Sequence, residues 1–327
     1  MKKLSPLEIP GLVASELGEV EKILAERLKV ENPLISEIGS YVCNSGGKRL
    51  RPVMLLLAAR ICGDSDGQAP LFASVMELIH VATLLHDDVL DRAEVRRGKP
   101  SANTRWSNNV SVLTGDYLYS WSLFALEEAQ KPAILKLVIQ AVMTMTDGEI
   151  LESVKKGDLG ITEGEYLEII EKKTAHLFSC SCRAGAIIEG DNHGWSNAMA
   201  EYGINTGMAF QIMDDILDYT ADQARLGKVI GGDVREKNFT LPIIHAMACA
   251  NRPEKERIRE IFAGEELAEG DFAYCLDLIH KYKSFDYALA KAGQYVEKAR
   301  NCLTVFEDSI YRDAFFAISE YSINRDH

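Results

Sequence analysis

Two stretches of this chain constrain its fold more than any others. Pro70 to Asp91 and Ser196 to Tyr219 are long, carry few charges before their far ends, and repeat apolar residues at three- and four-residue spacing. That period is helical. A helix that is apolar around most of its circumference has to be covered on most sides. The rest of the chain supplies the cover with more helices. Helical periodicity recurs over Leu12 to Val30, Leu34 to Tyr41, Val53 to Cys62, Val110 to Ala129, Pro132 to Val154 and Glu165 to Glu189. Pro52 stands where a first helical turn tolerates proline. Thr162 and Glu165 have capping-box spacing. Shorter, more polar helices fill Leu241 to Ile323, and strand signals are nearly absent. No linker, low-complexity tract or tandem repeat divides the 327 residues. The expectation is a single all-α domain, 1–327, of ten or more helices, with the two least charged at the centre.

Both central helices end alike. The first closes with His86-Asp87-Asp88-Val89-Leu90-Asp91 and the second with Met213-Asp214-Asp215-Ile216-Leu217-Asp218. In each Asp-Asp-x-x-Asp the third aspartate is three and four residues from the others, so one helical face carries at least two carboxylates. Aspartate is a poor helix former, like charges at that spacing repel, and the helix dipole disfavours anions toward the C-terminus. One such cluster is readily a solvated helix end. Two, each on an apolar helix, call for a cation between them. Hard divalent ions, Mg²⁺ above all, take oxygen ligands, and Mg²⁺ commonly binds through one or two carboxylates plus phosphates. A phosphate-rich ligand follows.

The chain is acidic overall, with 36 Lys+Arg against 49 Asp+Glu and a net charge of −13. That argues against nucleic acid as a partner. The cations nevertheless gather beside the acids. Gly46-Gly47-Lys48-Arg49-Leu50-Arg51-Pro52 sets three cations behind two glycines, and Arg96-Arg97-Gly98-Lys99 follows the first cluster. Glycine-freed amides and guanidinium forks suit phosphate oxygens. Lys172-Lys173-Thr174 and Lys228 add to the set, although a basic surface turn is the plain alternative for each alone. No uninterrupted apolar run reaches the length that spans a bilayer, and Pro6, Glu8 and Pro10 break any signal-peptide core. The expectation is a cytoplasmic protein without membrane insertion, its seven scattered cysteines reduced.

Taken in order, these motifs resemble those of the trans-isoprenyl (polyprenyl) diphosphate synthases. The resemblance runs from about Gly46 to Pro242, through Gly115-Asp116-Tyr117-Leu118, Lys173-Thr174-Ala175 and Thr240-Leu241-Pro242. It implies the isoprenoid synthase fold around a central cavity, a homodimer, and 1′-4 condensation of an allylic diphosphate with isopentenyl diphosphate. By the same carry-over Asp87, Asp88, Asp91, Asp214, Asp215 and Asp218 bind up to three Mg²⁺ ions, and Asp87, Asp88, Asp91, Asp214 and Lys173 form the catalytic set. Lys48, Arg51, His80 and Arg97 serve isopentenyl diphosphate, and Gly47 belongs to the substrate-binding set. Arg96, Lys173 and Lys228 serve the allylic diphosphate, and Thr174 and Gln211 line the reacting centre. A histidine on an apolar helix is ordinarily a core residue, but His80 lies two turns before Asp87 on the same face. The sequence departs from the family at 238, where Asn238 stands in place of a lysine and Lys237 precedes it.

Product length in this family depends on residues just before the first cluster. Ala82 and Thr83 are small there, which implies a medium or long all-trans product, about C30–C50, with a short-chain C15 or C20 synthase as the alternative. The deeper floor falls on a bulky residue of the Pro132 to Val154 helix, Met143 and Met145 among the candidates. A class I terpene cyclase fits less well, because it usually lacks a second aspartate cluster. A non-catalytic synthase subunit fits less well because both clusters are intact.

Overall fold

The structure is a computed structural model that describes residues 4–63, 67–220, 231–264 and 270–324. A short 3₁₀ turn, Ile9–Val13, leads into α1 (Ala14–Arg27), α2 (Pro33–Cys43), α3 (Leu50–Ile61) and α4 (Ala69–Leu90). After a small hairpin come α5 (Ala102–Arg105), α6 (Asn108–Glu128), α7 (Pro132–Lys155) and α8 (Glu163–Ile170). A π-helical turn, Glu171–Ala175, links α8 to α9 (His176–Ala186). Then follow α10 (His193–Thr220), α11 (Gly232–Arg235), α12 (Leu241–Cys249), α13 (Arg252–Ala263), α14 (Asp271–Lys281), α15 (Ser284–Cys302) and α16 (Ile310–Ile323).

The described residues therefore form the expected all-α fold, and α4 and α10 occupy its centre as their composition requires. α4 packs against α1, α3 and α6, and α10 packs against α9 and α15. Two apolar clusters build the core. One surrounds α3, α4 and α9, with Phe72, Met76 and Phe178 inaccessible to solvent. The other joins the C-terminal half of α10 to α12, α14 and α15. By length and composition α4 would also pass for a membrane span, which a reading by uninterrupted apolar runs overlooks because Glu77, His80 and Asp87 break it. Here its neighbours bury most of it. The starts follow the sequence signals: Asn32 accepts from the Leu34 amide ahead of Pro33, and Thr162 with Glu165 closes a full capping box. All seven cysteines are free thiols.

The segment after the first aspartate cluster is more ordered than the sequence indicates. Val95–Arg96 pairs antiparallel with Lys99–Pro100. Arg97 and Gly98 form the turn with φ of +53° and +73°. Two consecutive positive φ values are the turn that matches strand twist in a two-residue hairpin. Strands this short carry no readable alternation.

Candidate active site

The last turn of α4, the C-terminal half of α10, the inner face of α7 and the π turn enclose a cavity of about 830 Å³. Asp87 and Asp91 line it from α4, and Asp214, Asp215 and Asp218 line it from α10. Asp88 does not. It is 2% exposed and its carboxylate accepts from Arg96 Nε at 2.8 Å and Nη2 at 2.5 Å. The pair fixes the hairpin against α4 and commits part of the Arg96 charge. Asp88 thus faces Arg96 in this structure, while Asp87 and Asp91 face the cavity.

Burial raises Asp87 to about 7; Lys173 opposes the shift, and Glu149 and Asp91 add to it. Burial also raises Asp215 to about 7, against hydrogen bonds from Tyr166 Oη at 2.6 Å and Gln211 Nε2 at 2.7 Å. Gln211 Oε1 in turn accepts from Thr174 Oγ1 at 2.9 Å. A continuous polar chain, Thr174–Gln211–Asp215–Tyr166, therefore holds two predicted site residues and one predicted ligand in fixed orientation.

The structure brings in acids that the motifs did not supply. Asp233 and Glu236 line the cavity beside the second cluster. The Asp233 amide donates to Asp218 Oδ2 at 3.1 Å, and burial with nearby Asp215 holds the Asp233 carboxyl well above its usual range. Glu149 and Glu152 line it from α7. Lys173 pairs with Glu149 Oε2 at 3.0 Å and with Glu152. Burial alone would lower the Lys173 pKa, but Glu152, Glu149 and Asp87 raise it, so the ammonium stays charged. A signal for these acids existed: Met145, Gly148, Glu149 and Glu152 fall on one helical stripe.

The predicted basic corner assembles on the other side. Gly47, Lys48, Arg51, His80 and Arg97 all line the cavity. Gly47 has φ of +147°, a backbone conformation that favours glycine, and it lies close against the Arg97 guanidinium, 3.1 Å from where a Cβ would stand. Arg51 lies over the Phe178 ring at 4.6 Å from its centroid, and its Nε is buried without a hydrogen-bond partner. Burial lowers Arg51 to about 10, with Glu77 and Asp214 opposing, so the cation persists at neutral pH. A buried guanidinium N–H without a partner is a donor waiting for an anion. His80 is held well below its ordinary pKa by burial and by Arg51, Arg97, Arg96 and Arg49, and is neutral at pH 7. Arg49, ahead of α3, forms the supporting ion pair with Glu77 at 2.6 Å. Lys48 meets the Tyr321 hydroxyl of α16, a contact from the far end of the chain with no local signal.

Of the chain-length candidates, Thr83 lines the cavity, whereas Ala82 is completely buried in the core. Met145 lines it too, but Met143 is 67% exposed on the outer face of α7. Tyr119 of α6, 5.7 Å from the His86 ring, adds an aromatic wall. Lys228 lies outside the described residues. Lys237 does not replace the missing lysine: its ammonium donates to the carbonyls of Gly264 at 2.6 Å and Phe262 at 3.4 Å, while Asn238 faces the cavity.

Among the described residues no three carboxylate, imidazole or thiolate groups stand close enough to hold an ion by themselves. The donor set still fits Mg²⁺. It consists of hard carboxylate oxygens on two facing walls, with room between them for the phosphates that complete such a coordination sphere.

The polyprenyl synthetase family model matches residues 32–279. The chain is 34% identical over 322 residues to the octaprenyl diphosphate synthase of Haemophilus influenzae, covering 98% of this chain and 97% of that one. It is 35% identical to a short chain isoprenyl diphosphate synthase of Methanothermobacter thermautotrophicus over 96% of this chain and 97% of the relative. The crystal structure of a polyprenyl synthase from Caulobacter crescentus, complexed with calcium and isoprenyl diphosphate, superposes with a TM-score of 0.95 at 34% identity, covering 99% of both chains.

Proposed function

This chain belongs to the polyprenyl synthetase family and is a trans-prenyltransferase, and from that premise we propose that it extends an allylic diphosphate, farnesyl or geranyl, by successive isopentenyl units to a medium- or long-chain all-trans polyprenyl diphosphate. The observation that carries this reading is the pair of facing aspartate walls with a separate cationic corner holding a partnerless buried Arg51 N–H. Two anionic substrates find two distinct seats. The solved relative bound to calcium and isoprenyl diphosphate supports the same pairing of divalent ion and prenyl diphosphate.

Asp87 and Asp91 on one wall, and Asp214 and Asp218 on the other, would hold Mg²⁺, as many as three ions. Asp215 is held by Tyr166 and Gln211 and orients the second wall. When bound, Mg²⁺ supplies positive charge that stabilises the departing diphosphate. Lys173 adds a fixed ammonium beside it. Lys48, Arg51 and Arg97 seat isopentenyl diphosphate, with neutral His80 beside them. In the family's reaction the allylic C1–O bond breaks, the diphosphate leaves with the electron pair, and the isopentenyl double bond attacks C1. A proton is then lost to the released diphosphate. Thr174 and Gln211 border that centre, and Phe178 and Phe210 add apolar lining to the same cavity.

Thr83 at the cavity wall and the octaprenyl relative support a product of about C30–C50. The aromatic Tyr119 wall and the short-chain relative favour the second reading, a C15 or C20 product. An apolar outer face on α6 and α7, with Leu113, Phe124, Met143 and Val154 each more than half exposed, supports a homodimer through those helices. Seven free thiols suit a reducing, cytoplasmic setting. The test is transfer of labelled isopentenyl diphosphate into an apolar product. Transfer should require Mg²⁺, stop on chelation, and fall by about 100-fold or more in Asp214→Asn; undiminished transfer in chelator contradicts the assignment.

A further inference from the structure

The cations that the motifs assign to the allylic diphosphate are largely committed. Arg96 is held by Asp88, and Lys173 sits between Glu149 and Glu152. Lys237 is turned onto backbone carbonyls. Lys156, which no motif includes, differs from all of these. It ends α7 with an extended ψ of 120° and lines the cavity. Its ammonium stands 4.0 Å from Asp91 Oδ1 of the first wall and 3.6 Å from Glu236 Oε2 beside the second. Both distances are ionic and both exceed hydrogen-bond reach.

The backbone around it is fixed. The Gly157 amide donates to the Lys237 carbonyl at 2.9 Å, tying the end of α7 to the loop that carries Glu236. The neighbouring Lys155 is spent on Asp158 at 3.0 Å and Glu165 at 2.6 Å. So the backbone beside Lys156 is placed, while its ammonium makes no hydrogen bond to Asp91 or Glu236. A strut between Asp91 and Glu236 would be a poor use of it, because a pair this long and more than a third exposed stabilises little. A phosphate oxygen between the two acidic walls would give the ammonium the close contact that neither carboxylate gives.

Resting on the reading of the preceding subsection, we propose that Lys156 is a binding residue for the diphosphate of the allylic substrate. It supplies a positive charge that reaches from the end of α7 toward Asp91 and Glu236. The contact lies between Asp91 and Glu236 at the aspartate walls, and that position distinguishes the allylic seat from the isopentenyl seat, which lies at Lys48, Arg51 and Arg97.

The test compares wild type, Lys156→Gln, Lys156→Arg and the control Lys155→Gln. Steady-state rates are measured with each substrate varied in turn, and calorimetry measures binding of inorganic pyrophosphate in Mg²⁺. The expected result for Lys156→Gln is a KM for the allylic diphosphate raised about 10-fold, the scale of one charge-assisted contact. Its KM for isopentenyl diphosphate should change less than about 2-fold, and pyrophosphate affinity should fall in parallel with the allylic effect. Lys156→Arg should restore most of the loss and Lys155→Gln should resemble wild type. Equal effects on both substrates, or unchanged pyrophosphate binding, overturn the proposal. Absence of prenyl transfer by the wild type would instead contradict the functional reading beneath it.

Discussion

Asp87 and Asp88 are neighbours in one motif and face different ways. Asp87 looks into the cavity, while Asp88 anchors Arg96. The sequence announces the carboxylates but not their directions, because adjacent residues on a helix point about 100° apart and both belong to the same pattern. The same rotation separates Ala82 from Thr83. Thr83→Phe should place a ring in the cavity and shorten the product by at least one isoprene unit. Ala82→Phe should overpack the core and cost about 1–3 kcal/mol of stability while leaving the product length of the folded fraction unchanged. Chromatographic sizing of products and a denaturant titration check both; a shorter product from Ala82→Phe alone would contradict the placement. At this scale the aspartates, Lys48, Arg51, Arg97, Thr174 and Gln211 were legible from motifs. Asp233, Glu236 and Tyr321 were not, since each joins the cavity through the path of the chain and not through local spacing.

At the scale of elements, the sequence shows a single helix over Glu165 to Glu189 where the structure has α8, a π turn and α9. The turn matters because it carries Lys172, Lys173 and Thr174, and π turns recur at functional sites. Apolar period alone cannot reveal one extra residue per turn. Gly148 of α7 makes room for it: a Cβ at 148 would come within 2.7 Å of the Lys173 backbone nitrogen. Gly148→Ala should displace the turn, shift Lys173 off Glu149 and Glu152, and lower kcat about 100-fold, as a misplacement near 1 Å does, with the helical circular dichroism retained. A wild-type kcat for this variant would show that the close approach is not needed. The hairpin that presents Arg96 and Arg97 escaped detection for a related reason, since its pairing rests on two residues per strand and on the backbone of Arg97-Gly98.

For the whole molecule, the low charge of α4 and α10 was sufficient to place them at the centre, and their aspartates then had to face an interior space. What composition leaves open is the outer surface. Leu113, Phe124, Met143 and Val154 lie on α6 and α7 and are each more than half exposed among the described residues, and apolar faces of this kind mark interaction sites. Met143→Glu with Val154→Glu should convert a dimer to a monomer in sedimentation, and an unchanged sedimentation coefficient would remove that face from the interface. The central claim, an elongating prenyltransferase, is tested most directly by sizing the dephosphorylated products made from farnesyl diphosphate, isopentenyl diphosphate and Mg²⁺. The account predicts a ladder of prenyl alcohols ending in one dominant chain of about C30–C50. Failure to extend farnesyl diphosphate, with turnover of dimethylallyl or geranyl diphosphate to a terminal C15 product, would contradict it and move the cavity floor up to Tyr119.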